Sequence, residues 1–231
     1  MRRGQNSLRG INNDHSDEGK RVLMAQKDLG HKVPIHTLKT TEETINLYND
    51  WSLDDKYNQD MIDWAYSGPD EVVEAFAKHV QDKNISILDA GCGSGLVGKK
   101  LSRMGFSKID GVDISSGLID SIPKGIYSNL SLADLNKPLN FPDSHYDAIL
   151  CVGTFTYGHV RAKALEEFTR VVKPGGLIGF TINEGVFAEH GFQSLLDEMV
   201  LERKIVELEL FLSDYLASKD VGAWLGIYRV L

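Results

Sequence analysis

The sequence predicts an α/β domain in which seven strands form a mostly parallel sheet, with helices on both faces and a C-terminal antiparallel hairpin. Three observations predict it. From residue 85 onward, short apolar runs alternate with segments of helical period, the pattern of repeated strand–helix units. Two runs, "YDAILCVGT" and "GLIGFTI", are apolar almost throughout, as strands buried on both faces are. A glycine-rich turn, "ILDAGCGSGLVG" at 87–98, follows the first strand, where such a sheet places its ligand.

Residues 1–40 read as an N-terminal extension, polar and Gly/Asn-rich at its start and partly disordered, with a short helix in "SDEGKRVLMAQKDLG". Residues 41–231 form the domain. Its first segment, "TTEETINLYNDWSLDDKYNQDMIDWAYSG", is helical in pattern, and Thr40 with Glu43 has capping-box spacing. "GPDEVVEAFAKHV" carries Pro69 and two acids at its head and apolar Val72, Val73, Phe76 and Val80 at helical spacing. Then "ISILDAG" is a strand, "GLVGKKLSRMG" a helix, "KIDGVDIS" a strand and "SGLIDSIPK" a short helix stopped by Pro123. "SNLSLAD" and "YDAILCVGT" are strands, "RAKALEEFTRVVK" a helix and "GLIGFTI" a strand. "NEGVFAEHGF" reads as a loop and "FQSLLDEMVLERK" as a helix; "IVELELFLSDYL" and "VGAWLGIYRVL" pair as the closing hairpin.

Composition narrows the function. A net charge of -8 and a pI near 5.4 leave no basic stripe for nucleic acid. No apolar run reaches the roughly 18 residues that cross a bilayer, and the basic start lacks the apolar stretch of a signal peptide. Two cysteines, Cys92 and Cys151, are too few for a disulfide framework or a four-ligand zinc site, and no metal is expected. Reduced thiols point to the cytoplasm.

The charges around the glycine turn choose its ligand. Read from Gly93, it is a literal G-x-G-x-x-G, which alone would suit a dinucleotide. Asp89 at the strand end, however, would repel a phosphate by about 4 kcal/mol at ~4 Å and an effective dielectric near 20. No Gly-Lys-Ser/Thr closes the loop. Asp113 ends the next strand, where its two oxygens can accept both ribose hydroxyls; Asp134 ends the third, where it can accept an adenine amine. Three acids with no base among them fit a cationic nucleoside better than a dinucleotide.

Taken together, "ILDAGCGSG", "GVDIS", "ADL", "YDAILCVGTF" and "RVVKPGGLIGFTI" resemble, in order and spacing, the motifs of class I S-adenosylmethionine-dependent methyltransferases. "PKGIYSNLSLADLNKPL" and "YDAILCVGTFTYGHV" resemble, within that family, the group that includes the methyltransferase-like protein of the Williams–Beuren region. The resemblance implies a Rossmann-like methyltransferase sheet and S-adenosyl-L-methionine as cofactor, with S-adenosyl-L-homocysteine as product. By it, Gly91, Gly93 and Gly95 line the methionine portion, Cys92 fills the turn and Asp89 faces the ammonium. Ile114 beside Asp113, Leu135 beside Asp134, and Cys151 and Val152 at the fourth strand complete the cofactor shell. "LYNDWSLDDKYNQDM" resembles the lid segment of small-molecule methyltransferases, with Tyr48, Trp51 and Tyr57 over the sulfonium; Asn49 stands where that segment often has Asp.

Past the fourth strand, Phe155, Tyr157 and His159 are the expected pocket wall, with His159 the candidate base and Tyr157 a second candidate catalytic group. Phe187 and His190 follow on the acceptor side. The expected activity is methyl transfer to a small-molecule acceptor by a monomer or homodimer, without nucleic acid or membrane. A protein or peptide side-chain methyltransferase, a non-catalytic cofactor-binding protein and an NAD-dependent reductase remain as alternatives.

Overall fold

The computed structural model describes residues 38, 40–158 and 160–231. The expected helix within 16–30, the disorder expected of the extension and His159 lie outside the described residues. Ahead of the sheet, α1 (Thr41–Trp51) begins with the expected capping box: the Glu43 N–H donates to Thr40 Oγ1 and the Thr40 N–H to Glu43 Oε2, both at 3.1 Å. The helical pattern does not run on unbroken. Asp54 and Asp55 take left-handed φ of 54° and 58°, a region aspartate tolerates better than most residues, and the chain turns into α2 (Lys56–Asp63). Next, α3 (Gly68–Lys78) carries Pro69 and acids in its first turn and buries Val72, Val73, Ala75 and Phe76.

The sheet contains β1 (Ser86–Ala90), β2 (Lys108–Asp113), β3 (Asn129–Leu132), β4 (Tyr146–Phe155), β5 (Val172–Asn183), β6 (Ile205–Leu216) and β7 (Val221–Val230), in the order β3-β2-β1-β4-β5-β7-β6. The first five are parallel, and β7 runs antiparallel to both β5 and β6. Helices α4 (Leu96–Arg103), α5 (Ser116–Asp120) and α6 (Ala164–Val171) make the crossovers. Strand order reverses between β1 and β4, so the crevice for a ligand opens at their carboxyl ends.

Alternation along the strands builds two cores. Ile87 and Ile109 pack with Val72, Phe76, Val97 and Leu101 under α3 and α4. Leu88, Ala90 and Cys151 face the other way, toward Phe168 of α6 and toward Leu196 and Met199 of α8 (Phe192–Leu201). A third, smaller cluster of Trp51, Met61, Trp64 and Tyr215 binds the leading helices to the hairpin.

Three boundaries differ from expectation. α6 stops at Val171 because Val172 turns extended to pair with Tyr146, so β5 takes in "KPGG". "NEGVFAEHGF" is not all loop: α7 (Glu184–Glu189) forms, with the Asn183 side chain accepting the Gly185 N–H at 3.0 Å. α8 ends at Leu201, where Arg203 (φ 58°) lets the Lys204 N–H return to the Met199 carbonyl.

Candidate functional site

A cavity of about 380 Å³ opens at the carboxyl ends of β1, β2 and β4, beneath α1 and α2. Its floor is the glycine turn. The Gly91 and Cys92 N–H groups both donate to the Val112 carbonyl, at 2.8 and 2.9 Å, which folds the turn back over β2. Gly91 (φ 81°) and Gly93 (φ 50°) line the cavity in conformations that favour glycine. A Cβ on Gly93 would meet nothing nearer than Leu118 Cδ1 at 3.9 Å and the Tyr57 hydroxyl at 4.0 Å. A side chain there would stand in the cavity, so the backbone forms a cradle for a ligand.

Asp113 lies in the middle of this floor, 9% exposed. Its Oδ2 accepts the Gly93 N–H at 2.8 Å and its Oδ1 the Ser115 N–H at 2.9 Å, so one carboxylate joins the turn after β1 to the turn after β2. Burial raises its pKa, and the N–H groups of Ser115, Gly93 and Ile114 oppose the rise. Each oxygen keeps a second lone pair for a diol. Ile114, Asp134, Leu135 and Val152 also line the cavity. Asp134 accepts the Asn136 N–H at 3.0 Å and pairs with Lys137 at 3.3 Å, so its charge is partly answered at the rim.

The roof comes from the leading helices. Tyr48 and Tyr57 line the cavity, while Trp51 sits behind them, its Nε1–H donating to Asp60 at 2.7 Å. Trp51 stacks on Tyr48 at 5.8 Å between centroids and meets Tyr57 edge-on at 4.9 Å, so it braces the roof rather than lining it. Burial pushes the pKa values of Tyr48 and Tyr57 up, keeping both phenols protonated. Asn49 fastens the roof: its Oδ1 accepts the Ser115 hydroxyl at 2.7 Å and the Gly117 N–H at 3.1 Å. An aspartate would add a second charge against Ser115, which Asp113 already bonds; the neutral amide makes the same two bonds.

Several expected site residues lie elsewhere. Asp89 does not face the cavity, because alternation along β1 turns it to the α3/α4 side with Ile87. There it is fully buried and accepts a 2.5 Å hydrogen bond from the Tyr127 hydroxyl. Gly95 also turns away, against Ile122 and Tyr127. Cys92 and Cys151 are buried, and burial pushes both thiols up, away from nucleophilic thiolates.

Phe155 is core, packed among Phe168, Phe180 and Phe192. Tyr157 turns from the cavity toward Gly185 and meets the His190 ring edge-on at 5.5 Å. Phe187 is buried against Trp224, 4.9 Å between centroids, and His190 is exposed beyond α7. What the sequence reading omitted is the rim: Thr40, Thr41, Thr44, Thr154, Lys137 and Arg161. The turn into a cap at Thr40 marked part of it; nothing local marks Arg161.

Known proteins share this sequence pattern and this fold. Residues 88–180 match a family described as a methyltransferase domain. The chain is similar to methyltransferase-like protein 27 of Homo sapiens, 35% identical over 150 residues, covering 63% of this chain and 60% of that protein. It is also similar to malonyl-[acyl-carrier protein] O-methyltransferase 1 of Ilyobacter polytropus, 29% identical over 137 residues and covering 57% and 51% of the two chains. The chain thus spans between half and two thirds of these relatives. A chain in the complex of the Haloferax volcanii Trm112 methyltransferase activator with a putative methyltransferase superposes with a TM-score of 0.60. At 18% identity, covering 79% of this chain and 97% of that one, this likeness shows the fold.

Proposed function

We propose that this chain, which carries a methyltransferase-domain match over residues 88–180 and the matching fold, is a class I S-adenosylmethionine-dependent methyltransferase that methylates a small-molecule acceptor by in-line displacement. Residues 41–231 are the working unit. The observation that carries the reading is Asp113: a buried carboxylate, joined to both loops of the glycine cradle, at the point where strand order reverses.

The residues present fit S-adenosylmethionine. When bound, that cofactor supplies a methyl group on a positively charged sulfur. Asp113 accepts the ribose hydroxyls, Asp134 the adenine amine, and Gly91 and Gly93 admit the methionine portion against bare backbone. Tyr48 and Tyr57 cover the sulfonium, where a dry cation–π contact contributes up to about 2 kcal/mol. Because both phenols stay protonated, they exclude water and donate hydrogen bonds rather than take protons. His159, the base expected from the sequence after the fourth strand, is the proposed base.

The relative named for O-methylation of malonyl-[acyl-carrier protein] supports an oxygen acceptor without identifying it. Cytoplasmic placement fits two buried free thiols and the lack, among the described residues, of a helix able to cross a membrane. The test is to incubate the protein with labelled cofactor and metabolite extracts and identify the labelled product by mass. Transfer to a small molecule is expected. Label found only in protein would move the acceptor to a side chain, and binding without any product would make this a non-catalytic binder.

A further inference from the structure

Asp89 is a buried ionisable group to which the proposed reaction assigns no contact. It sits at the carboxyl end of β1, fully buried, and its Oδ1 has no hydrogen-bond partner among the described residues. Its Oδ2 accepts from the Tyr127 hydroxyl at 2.5 Å, and that hydroxyl in turn accepts the Gly98 N–H at 3.1 Å. Tyr127 reaches in from the loop between α5 and β3. Three glycines make room for it: a Cβ on Gly98 would collide with the ring and hydroxyl. On Gly111 it would lie 3.0 Å from two ring carbons, and on Gly95 3.3 Å from a third. Such a notch, cut to one side chain, holds the phenol in a single position.

The carboxylate it holds lies behind the glycine turn that floors the cavity. Asp89 is two residues from cavity-lining Gly91, so their Cα atoms are within about 7 Å. We propose that Tyr127 is a positioning residue for the cofactor: seated in the glycine notch, it fixes the Asp89 carboxylate under the loop and sets how strongly the cavity favours a sulfonium over a neutral thioether. The inference rests on the methyltransferase reading above.

A negative charge at that range in a poorly polarisable interior shifts the ratio of the two affinities on the order of tenfold. The titratable side chains that reach Asp89 are Tyr127 from its loop, Asp113 from β2, Cys92 from the glycine turn and Cys151 from β4. From α4 only the Gly98 N–H reaches it, and no basic side chain among the described residues does. Burial pushes Asp89 up to about 7, and Asp113 adds to this, while the Tyr127 hydroxyl and the Gly98 N–H pull it down. The carboxylate therefore ionises as pH rises through neutrality, and removing the Tyr127 donor moves that step to higher pH.

The experiment is calorimetric titration of the full chain with S-adenosylmethionine and with S-adenosylhomocysteine at about pH 6, 7 and 8. Wild type, Tyr127→Phe and Asp89→Asn are compared. Both ligands share the adenosine and the amino group, so other titrations largely cancel in the ratio of affinities. In the wild type the ratio should rise toward the sulfonium by about threefold or more across this range. Tyr127→Phe should delay the rise to higher pH, and Asp89→Asn should abolish it. A flat wild-type ratio, or a Tyr127→Phe profile that overlays the wild type, overturns the inference while leaving cofactor binding intact. If the wild type binds neither ligand at any pH, it is the methyltransferase reading that fails.

Discussion

Asp113→Asn removes one charge and one acceptor oxygen from the cavity floor while keeping the side chain's shape. In the protein, the two carboxylate oxygens already accept the Gly93 N–H at 2.8 Å and the Ser115 N–H at 2.9 Å. An asparagine can keep one of these bonds and must turn an NH₂ toward the other donor. It also loses the charge that strengthens hydrogen bonds from a ribose diol. A bond to a charged acceptor contributes about 1.5–3 kcal/mol and a neutral one about 0.5–1.5, so losing one and weakening the other costs about 2.5–4.5 kcal/mol, roughly a 10²- to 10³-fold weaker complex. At 9% exposure, solvent screening takes little from that figure.

The fold should survive the change. Burial raises the pKa of Asp113, so its ionised form opposes folding at neutral pH, and the neutral amide relieves that cost while giving up one backbone bond. Calorimetric titration with S-adenosylhomocysteine, beside a thermal melt, separates binding from folding. A folded variant that binds less than tenfold more weakly than the wild type would refute the ribose assignment and the reasoning behind it.

Other predictions concern stability, the cradle and the roof. Asp89 titrates near 7 against an ordinary 3.8, so the folded state holds a proton that the unfolded chain releases between those values. Stability should therefore fall as pH rises from about 4 to about 7, by on the order of 4 kcal/mol from this group at most. Denaturant midpoints of wild type and Asp89→Asn should diverge across that window, and parallel curves would contradict the burial argument. Gly91→Ala should weaken cofactor binding by about tenfold or more, because φ is 81° and its Cβ would strike Thr154 Oγ1; unchanged affinity in titration would remove Gly91 from the cradle. Asn49→Ala drops two bonds that hold α1 over the cavity and should weaken cofactor binding several-fold with little change in melting temperature. A large fall in melting temperature with intact binding would make Asn49 a folding residue instead.

The sheet was legible because its central strands β4 and β5 are apolar almost throughout and its glycine turn sits at a strand end, features that chain-local physics dictates. The capping box at Thr40 was legible for the same reason: two side chains three residues apart satisfy each other's backbone donors. Asp113 was readable from its place at a strand end. Asp89 was half readable. Its position was plain, but strand alternation, which groups it with Ile87 on the α3/α4 side, outweighs the pull of a charged ligand on the other side of the turn. Phe155 and Phe187 show why the acceptor side was obscure, since an apolar residue past a strand end looks the same whether it lines a pocket or fills a core. Tyr127 carries no local signal at all. Its role depends on Gly95 and Gly98 at the start of α4 and on Gly111 within β2, which the fold brings around one ring.

Titration of the wild-type protein at neutral pH with S-adenosylmethionine and, separately, with NAD tests most directly the claim that this cavity holds a cationic nucleoside. Saturable one-to-one binding of S-adenosylmethionine, displaced by S-adenosylhomocysteine, with no heat from NAD, is the predicted result. Saturable NAD binding with none of S-adenosylmethionine would contradict it.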